Sequence, residues 1–242
     1  MSVFSQEMEK RVKDVLRTPF NIRDGRVVPE DDSDSIVFRD GAVRLDATYA
    51  YADLAESSTL AQRLKQEAAA AIIRSYVNSV SRIFTHYGGA IRSFDGDRVM
   101  AIFVGDRKNE KAVRAALAIS WATWKVIQPG IEQRWNDIAG KIYDIEQSVG
   151  IDTGTALIVR GGARANSDLI SVGAAPNVAA KLSDERGSGS TLVTRAVYND
   201  LPDSIIYATQ SGNKVNRFTS KGQLHVGGKS FDVLGSTWWW EP

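Results

Sequence analysis

Two aspartates lie at predicted strand ends in the first hundred residues of this chain. Asp46 follows an apolar-alternating run, and Asp97 directly follows the Asp95-Gly96 corner of the hairpin sequence IRSFDGDRVMAIF. If the two strands are neighbours in a sheet, both carboxylates emerge at the same end of it. Hard oxygen ligands beside free backbone N–H groups suit a divalent cation that carries phosphates, as Mg²⁺ does. The alternative, in which both are turn-forming carboxylates, stays open on spacing alone.

The composition narrows the chemistry further. The 242 residues contain 30 Lys and Arg against 29 Asp and Glu, and this net charge of +1 predicts no nucleic-acid partner. The absence of cysteine excludes a disulfide framework, a thiolate metal site and a cysteine nucleophile. No apolar run approaches the ~20 residues of a membrane helix, and the N-terminus lacks an apolar secretory core. We therefore expect a cytoplasmic protein without a membrane partner.

Alternating strand and helix patterns predict the order β-α-β-β-α-β. They indicate a strand at 42–49 running into a loop, a helix at 60–87, hairpin strands at 90–94 and 98–104, a helix at 109–127 stopped by Pro129-Gly130, a hairpin at 148–159 turning near 152–154, a helix at 176–187, and a hairpin at 223–234. This order predicts an α/β (α+β) fold with a ferredoxin-like βαββαβ core, in which helices cover one face of a mostly antiparallel sheet.

The two ends of the chain carry features outside that core. A helical stripe at residues 3–17 and an acidic loop at 29–35 divide the chain into an N-terminal addition, residues 1–35, and a main domain, residues 36–242. The three consecutive tryptophans at 238–240 predict packing on the core or on a partner. A contact with a membrane surface is the alternative, although no basic amphipathic helix accompanies them.

Three blocks of the sequence resemble the class III nucleotidyl cyclases, the catalytic domains of adenylate and guanylate cyclases. VRLDATYAYADLAE resembles the first metal-binding strand and loop, and YGGAIRSFDGDRVMAIF resembles the second metal segment. SVGIDTGTALIV, followed by ISVGAAPNVAAKL, resembles the later hairpin and the helix that carries a catalytic asparagine. The match covers roughly residues 40 to 235, and the order and spacing of the blocks are more specific than any block alone.

The resemblance implies a two-metal site for phosphoryl transfer. Two Mg²⁺ or Mn²⁺ ions would bridge Asp46 and Asp97, and the backbone carbonyl of Ala47 would assist the second ion. The loop at 48–52, which includes Thr48 and Ala50, would wrap the phosphates with its N–H groups.

The resemblance also implies a homodimer, because active sites of this family lie between two catalytic domains. Asn177 would orient the ribose from the second domain. Lys181 stands four residues further on, where the family usually has arginine, and it keeps the charge without the bidentate fork. The alternatives, a first-turn polar residue and a solvated helix face, remain open for these two positions.

The residues that would read the base depart from both familiar patterns. Ser93 and Ile170 stand where adenylate and guanylate cyclases carry their base-reading pairs, and neither pair is present. Tyr49 occupies the usual glycine position of the first metal loop, with Tyr51 close by. Aromatic bulk beside the base would favour a pyrimidine over a purine by steric exclusion. Packing of both tyrosines under the loop is the alternative.

This pattern resembles the pyrimidine cyclases of the bacterial Pycsar anti-phage systems. The resemblance implies conversion of UTP to 3′,5′-cyclic UMP and pyrophosphate, and a separate effector that binds the cyclic nucleotide. CTP as the substrate, a divergent adenylate cyclase, and an inactive nucleotide-binding or dimerisation module remain open alternatives. A palm-type polymerase would share the βαββαβ core, but its acidic signature is not found in this sequence.

Overall fold

A computed structural model describes residues 2–30, 36–37, 39–136, 144–163 and 166–242, and it contains the predicted β-α-β-β-α-β core. The helices are α1 (Val3–Arg17), α2 (Ser57–Arg63), α3 (Gln66–His86), α4 (Lys108–Ala122), α5 (Gln128–Arg134), α6 (Ala174–Asp184), α7 (Arg195–Asn199) and α8 (Asp203–Ile206). The strands are β1 (Asn21–Gly25), β2 (Gly41–Leu54), β3 (Ala90–Asp95), β4 (Arg98–Val104), β5 (Gln147–Ala163), β6 (Asn166–Val172), β7 (Thr191–Thr194), β8 (Tyr207–Gln210), β9 (Asn213–Asn216), β10 (Thr219–Val226) and β11 (Lys229–Ser236).

The central sheet has the strand order β10-β11-β7-β5-β2-β4-β3. Its segment β5-β2-β4-β3 is the ferredoxin-like arrangement, and all of its pairs are antiparallel. Within the described ranges, only β1 with β2 and β5 with β7 pair in parallel. The predicted mixed fold with a mostly antiparallel sheet is therefore confirmed.

The two central strands are longer than the sequence patterns predicted. β2 continues to Leu54 and pairs with β5 along its whole length, from Ala42 opposite Val159 to Leu54 opposite Gln147. The expected loop at 48–52 and the expected turn at 152–154 are both wrong, because these backbone groups bond to the neighbouring strand. β5 turns back only at its far end, where it forms a hairpin with β6.

Helices pack on both faces of the sheet. The expectation that they cover only one face is wrong. Side chains alternate along β2, so Ala50 and Leu54 pack with α3 and α4, whereas Tyr49 packs with Ala179 of α6 on the opposite face. Gly150 lies directly beneath α6, where a Cβ atom would overlap the Ala179 carbonyl oxygen. The missing side chain lets the helix approach the sheet closely.

The second long helix does not stop at the proline. α4 continues through a π-helical turn, Thr123–Ile127, into α5, which contains Pro129 in its first turn, a position where proline is tolerated. The predicted helix at 60–87 is likewise divided into α2 and α3. No helix in the described ranges is long and apolar enough to cross a membrane.

The tryptophan tail packs on the domain, as predicted. Trp238 and Trp240 lie against the larger core cluster, and the guanidinium of Arg114 lies 4.8 Å from the ring centroid of Trp240. Cation–π contacts of this kind hold an aromatic side chain at a charged surface.

The N-terminal helix is joined to the sheet by a short strand. α1 buries none of its residues, and β1 then pairs with the beginning of β2. Residues 31–35 of the acidic loop lie outside the described residues, and the division at residue 35 stays a prediction.

Candidate active site

Asp46 does not lie beside Asp97. It faces the α4 side of β2, its carboxylate is 70% exposed, and it accepts a 2.8 Å hydrogen bond from Lys108 Nζ at the start of α4. Asp97 follows the β3–β4 corner, which is next to the other end of β2. Seven residues of strand separate Asp46 from that end, or about 23 Å. The expectation that these two carboxylates emerge at the same end of the sheet is therefore wrong.

Asp53, rather than Asp46, is the aspartate of β2 that lies near Asp97. It precedes the last residue of β2, is only 7% exposed, and faces the same side of the sheet as Tyr51. Its negative charge raises the pKa of Asp97, so the two carboxylates are electrostatic neighbours. A signal for Asp53 is present in the sequence: the alternation of YAYADL continues to Leu54 before the next helix begins at Ser57.

Asp97 is a partly buried acid with an unused ligand atom. Its Oδ2 is buried and accepts no hydrogen bond from the described residues. Burial raises the pKa of Asp97, and the charge of Asp53 raises it further, whereas the Ser57 hydroxyl and the Leu54 backbone oppose the shift. A carboxylate oxygen that is buried without a donor is poised to accept a positive charge.

Two arginines neutralise Asp53. Arg186 donates from Nη2 to Asp53 Oδ2 at 2.6 Å, and Arg98 donates from Nε to Oδ1 at 3.4 Å. Arg98 also ion-pairs with Asp184 at the end of α6. The site is thus a chain of alternating charges that links β2, the β3–β4 hairpin and α6.

The two carboxylates fit a divalent cation that shares its ligands with a substrate. Within the described ranges, no group of three or more His, Cys, Asp or Glu side chains converges on one point. Mg²⁺ needs only one or two protein carboxylates when phosphate oxygens and water complete its shell. The donorless Oδ2 of Asp97 and the nearby carboxylate of Asp53 meet that requirement.

The residues predicted to assist the metal and the phosphates lie inside the sheet. The Ala47 carbonyl accepts a 3.3 Å hydrogen bond from Thr153 Oγ1, and Thr48 hydrogen-bonds to Asn109 in the buried interior. Ala50 is fully buried against α3 and α4. Their predicted contacts with metal and phosphate are wrong, because β2 does not end where we expected.

Tyr51 and Ser93 lie on the face of Asp53. Both are cross-strand neighbours of Met100, and Tyr51 is two residues before Asp53 in β2. Burial raises the pKa of Tyr51 to about 12, with a smaller contribution from Tyr49, so its hydroxyl stays protonated at neutral pH. Tyr49 is fully buried among the residues that pack with α6, inside β2 rather than under a loop.

Ile170 and Ser171 point to opposite faces of β6. Ile170 pairs with Val159, is half-exposed and lies over Gly161. Ser171 pairs with the core residue Ile158 and lies on the same face as Tyr49, whose buried hydroxyl has no hydrogen-bond partner within the described residues. The structure therefore brings Ser171, which we had not singled out, to the face where we had expected Ile170.

Asn177 and Lys181 share an exposed side of α6. Asn177 Nδ2 donates to the Gly173 carbonyl at 3.1 Å, and Lys181 Nζ lies 3.7 Å from Asp184. Within the described ranges, neither side chain hydrogen-bonds or ion-pairs with Asp53 or Asp97. Both remain accessible to another molecule.

Proteins of similar sequence identify the family. The chain is 42% identical over 190 residues to a uridylate cyclase from Rhodovulum sp. (strain MB263), covering 77% of this chain and 78% of that protein. The chain belongs to the uridylate cyclase family. The uridylate cyclase from Xanthomonas perforans is 37% identical, with 78% of this chain and 80% of that protein covered. No protein-family profile matches the chain.

Solved structures place this uridylate cyclase family member among the class III cyclases. The adenylyl cyclase CyaB from P. aeruginosa superposes with a TM-score of 0.59 at 25% identity, covering 80% of this chain and 94% of that one. The crystal structure of a guanylyl cyclase gives a TM-score of 0.64 at 17% identity, covering 82% and 95%. The predicted class III fold is therefore confirmed.

The raised pKa of Asp97 predicts a pH-dependent stability difference in the cation-free protein. Below the unfolded value of about 3.8, Asp97 is protonated in both states and contributes nothing. As the pH rises from there through the raised folded value, the unfolded chain loses its proton first and stability falls. Asp97→Asn should escape this loss, so its melting temperature relative to wild type should rise across that window and then level off.

Differential scanning fluorimetry in EDTA between pH 3.5 and 7 measures this difference, with the exposed Asp46→Asn as the control. A constant offset between Asp97→Asn and wild type at every pH would contradict the electrostatic description of the site.

Proposed function

We propose that this chain is a homodimeric cyclase that converts UTP to 3′,5′-cyclic UMP and pyrophosphate, with two divalent cations held by Asp53 and Asp97. One observation carries the proposal: in a class III cyclase fold, these two carboxylates meet at one end of the sheet. The names of the relatives support the choice of UTP.

The metal ligands in this proposal are Asp53 and Asp97, not Asp46. When bound, Mg²⁺ or Mn²⁺ would lower the pKa of the ribose 3′-hydroxyl and neutralise the triphosphate. The protein positions the groups: Asp97 contributes its buried, donorless oxygen, and Asp53 contributes a carboxylate that Arg98 and Arg186 hold in place. The two arginines keep the site from holding uncompensated negative charge before loading.

The second half of the site comes from the partner subunit. Asn177 and Lys181 are exposed on α6 and make no contact with Asp53 or Asp97 within the described part of their own chain. We propose that the partner subunit's Asn177 orients the ribose and the partner subunit's Lys181 stabilises charge on the α-phosphate. Lysine acts there as a point charge without the bidentate fork of arginine. A twofold axis then gives two equivalent composite sites.

Base selection in this proposal depends on the face of the sheet that carries Tyr51 and Ser93. The protonated Tyr51 hydroxyl and the Ser93 hydroxyl can each donate or accept a hydrogen bond at the polar edge of uracil. Ser171, beside Tyr49, adds a third hydroxyl on this face. The bulk of Tyr51 in the strand leaves less room for a purine.

The reaction is an in-line displacement at the α-phosphorus. The ribose 3′-oxygen loses its proton to solvent and forms a bond to the α-phosphorus. The bond from the α-phosphorus to the bridging oxygen breaks, and pyrophosphate leaves with that oxygen. We further propose that the cyclic UMP is a second messenger in anti-phage defence and acts through a separate effector that binds it. The resemblance to the Pycsar cyclases supports this role.

A nucleotide panel tests the proposed reaction. Purified protein is incubated with UTP, CTP, ATP or GTP plus Mn²⁺, and the products are identified by mass spectrometry. We expect cyclic UMP as the dominant product, and Tyr51→Ala should raise the purine share because it removes bulk from the base-binding face. Dominant cyclic AMP would refute pyrimidine selection, dominant cyclic CMP would reassign the substrate, and no product from any nucleotide would favour an inactive module.

Mixed dimers test the composite site. Asp53→Ala and Asn177→Ala homodimers should each be inactive, because every site in them lacks one essential group. A purified Asp53→Ala/Asn177→Ala heterodimer contains one intact site and should regain about half of the wild-type activity.

The control for this experiment is the Asp46→Ala homodimer, which should retain activity, since Asp46 is exposed and forms a surface ion pair with Lys108. Inactive heterodimers of confirmed composition would argue against sharing of the site, and an inactive, folded Asp46→Ala enzyme would argue against the reassignment to Asp53.

A further inference from the structure

The two arginines that neutralise Asp53 occupy the oxygens that a cation would need. Arg186 bonds to Oδ2 and Arg98 to Oδ1, so each carboxylate oxygen already has a cationic partner. A divalent cation bound at Asp53 would stand close to both guanidinium groups and repel them. At least one of these bonds must therefore break when the site is loaded.

The two arginines differ in the partners that they keep when the bond to Asp53 breaks. Arg98 keeps its ion pair with Asp184, since one guanidinium serves both carboxylates. Arg186 keeps only a 2.8 Å hydrogen bond from Nη1 to the Ser183 carbonyl, and no second carboxylate pairs with it within the described ranges. A displaced Arg98 would therefore stay paired with Asp184, whereas a displaced Arg186 would be left without a carboxylate and could pair with an anionic substrate.

The position of Arg186 allows it to move toward a substrate. It follows the end of α6 in a segment with Gly187 and Gly189 at φ +75° and +131°, a backbone conformation that favours glycine. Its side chain is 41% exposed. Because this side chain is partly exposed, a change of partner can be made by the side chain alone and requires no rearrangement of the sheet.

A cavity of about 580 Å³ adjoins the same arginine. It is lined by Arg186, by Ala55 from the turn after Asp53, and by Lys125, while Glu146 and Glu185 also contribute to its wall. The volume is within the range of small-ligand sites. Arg186 thus contacts Asp53 and also lines this cavity, so its guanidinium lies between the carboxylate and a space that can hold part of a ligand.

We propose that Arg186 is a triphosphate-binding residue that exchanges Asp53 for the β- and γ-phosphates when the cations bind. The inference rests on the proposed function, because it requires the cations at Asp53. The planar guanidinium matches a phosphate with two parallel N–H···O bonds, as it matches a carboxylate. Arg186 thus supplies positive charge in both states, first to the empty site and then to the substrate.

Two binding measurements test this exchange, and the expected changes in affinity are opposite. Calorimetry gives the affinity of the cyclase for Mn²⁺ alone, and then for 3′-deoxyuridine triphosphate with Mn²⁺, since this analogue lacks the attacking hydroxyl. Arg186→Gln should bind Mn²⁺ more tightly, because a competitor for Asp53 is gone. It should bind the triphosphate roughly 10- to 100-fold more weakly, because a charged hydrogen-bond partner is lost.

The controls separate a binding role from a structural one. Arg195→Gln, at the opposite end of β7, should leave both affinities unchanged, and Arg186→Lys should lose less triphosphate affinity than Arg186→Gln. Weakening of both Mn²⁺ and triphosphate binding in Arg186→Gln would indicate a structural role and overturn the proposal, as would unchanged affinity for both. Wild-type protein that binds neither ligand would overturn the proposed function itself. If the wild type makes cyclic UMP but Arg186→Gln leaves both affinities unchanged, only this inference is overturned.

Discussion

Two negative charges at one end of a sheet must be compensated, and this constraint organises the site. Asp53 is nearly inaccessible, Asp97 has a buried oxygen without a donor, and the charge of Asp53 disfavours ionisation of Asp97. A protein tolerates such a pair only when positive charge lies close by. In this chain Arg98 and Arg186 provide it, and in the proposed reaction divalent cations and the substrate take over that role.

Strand pairing and helix packing hold this end of the sheet in place. β2 runs for 14 residues and is paired with β5 as far as Leu54 and with β4 as far as Ala52, so pairing fixes the backbone that leads to Asp53. The β3–β4 hairpin sets Asp97 beside it, and α6 lies on the same face because Gly150 leaves room for the helix. The charged chain from Asp53 through Arg98 to Asp184 then ties the end of α6 to the metal end of the sheet.

Features determined by local sequence were predictable. The Asp95-Gly96 corner fixes the hairpin and therefore Asp97, and the order of strands and helices indicates the βαββαβ core. Local sequence does not decide whether Asp46 or Asp53 lies beside Asp97. Both follow apolar alternation, and only the full-length pairing of β2 with β5 shows that the strand continues past Asp46 to Leu54. The pairing of β6 with β5 likewise determines that Ser171, rather than Ile170, lies on this face.

The location of bound cations tests the central claim most directly. Crystals grown with Mn²⁺ and 3′-deoxyuridine triphosphate can be measured at the manganese absorption edge, where the anomalous signal marks only the metal. The account predicts peaks within ligand distance, about 2.0–2.3 Å, of the carboxylates of Asp53 and Asp97. Peaks at Asp46, with Asp53 still bound by Arg98 and Arg186, would contradict it.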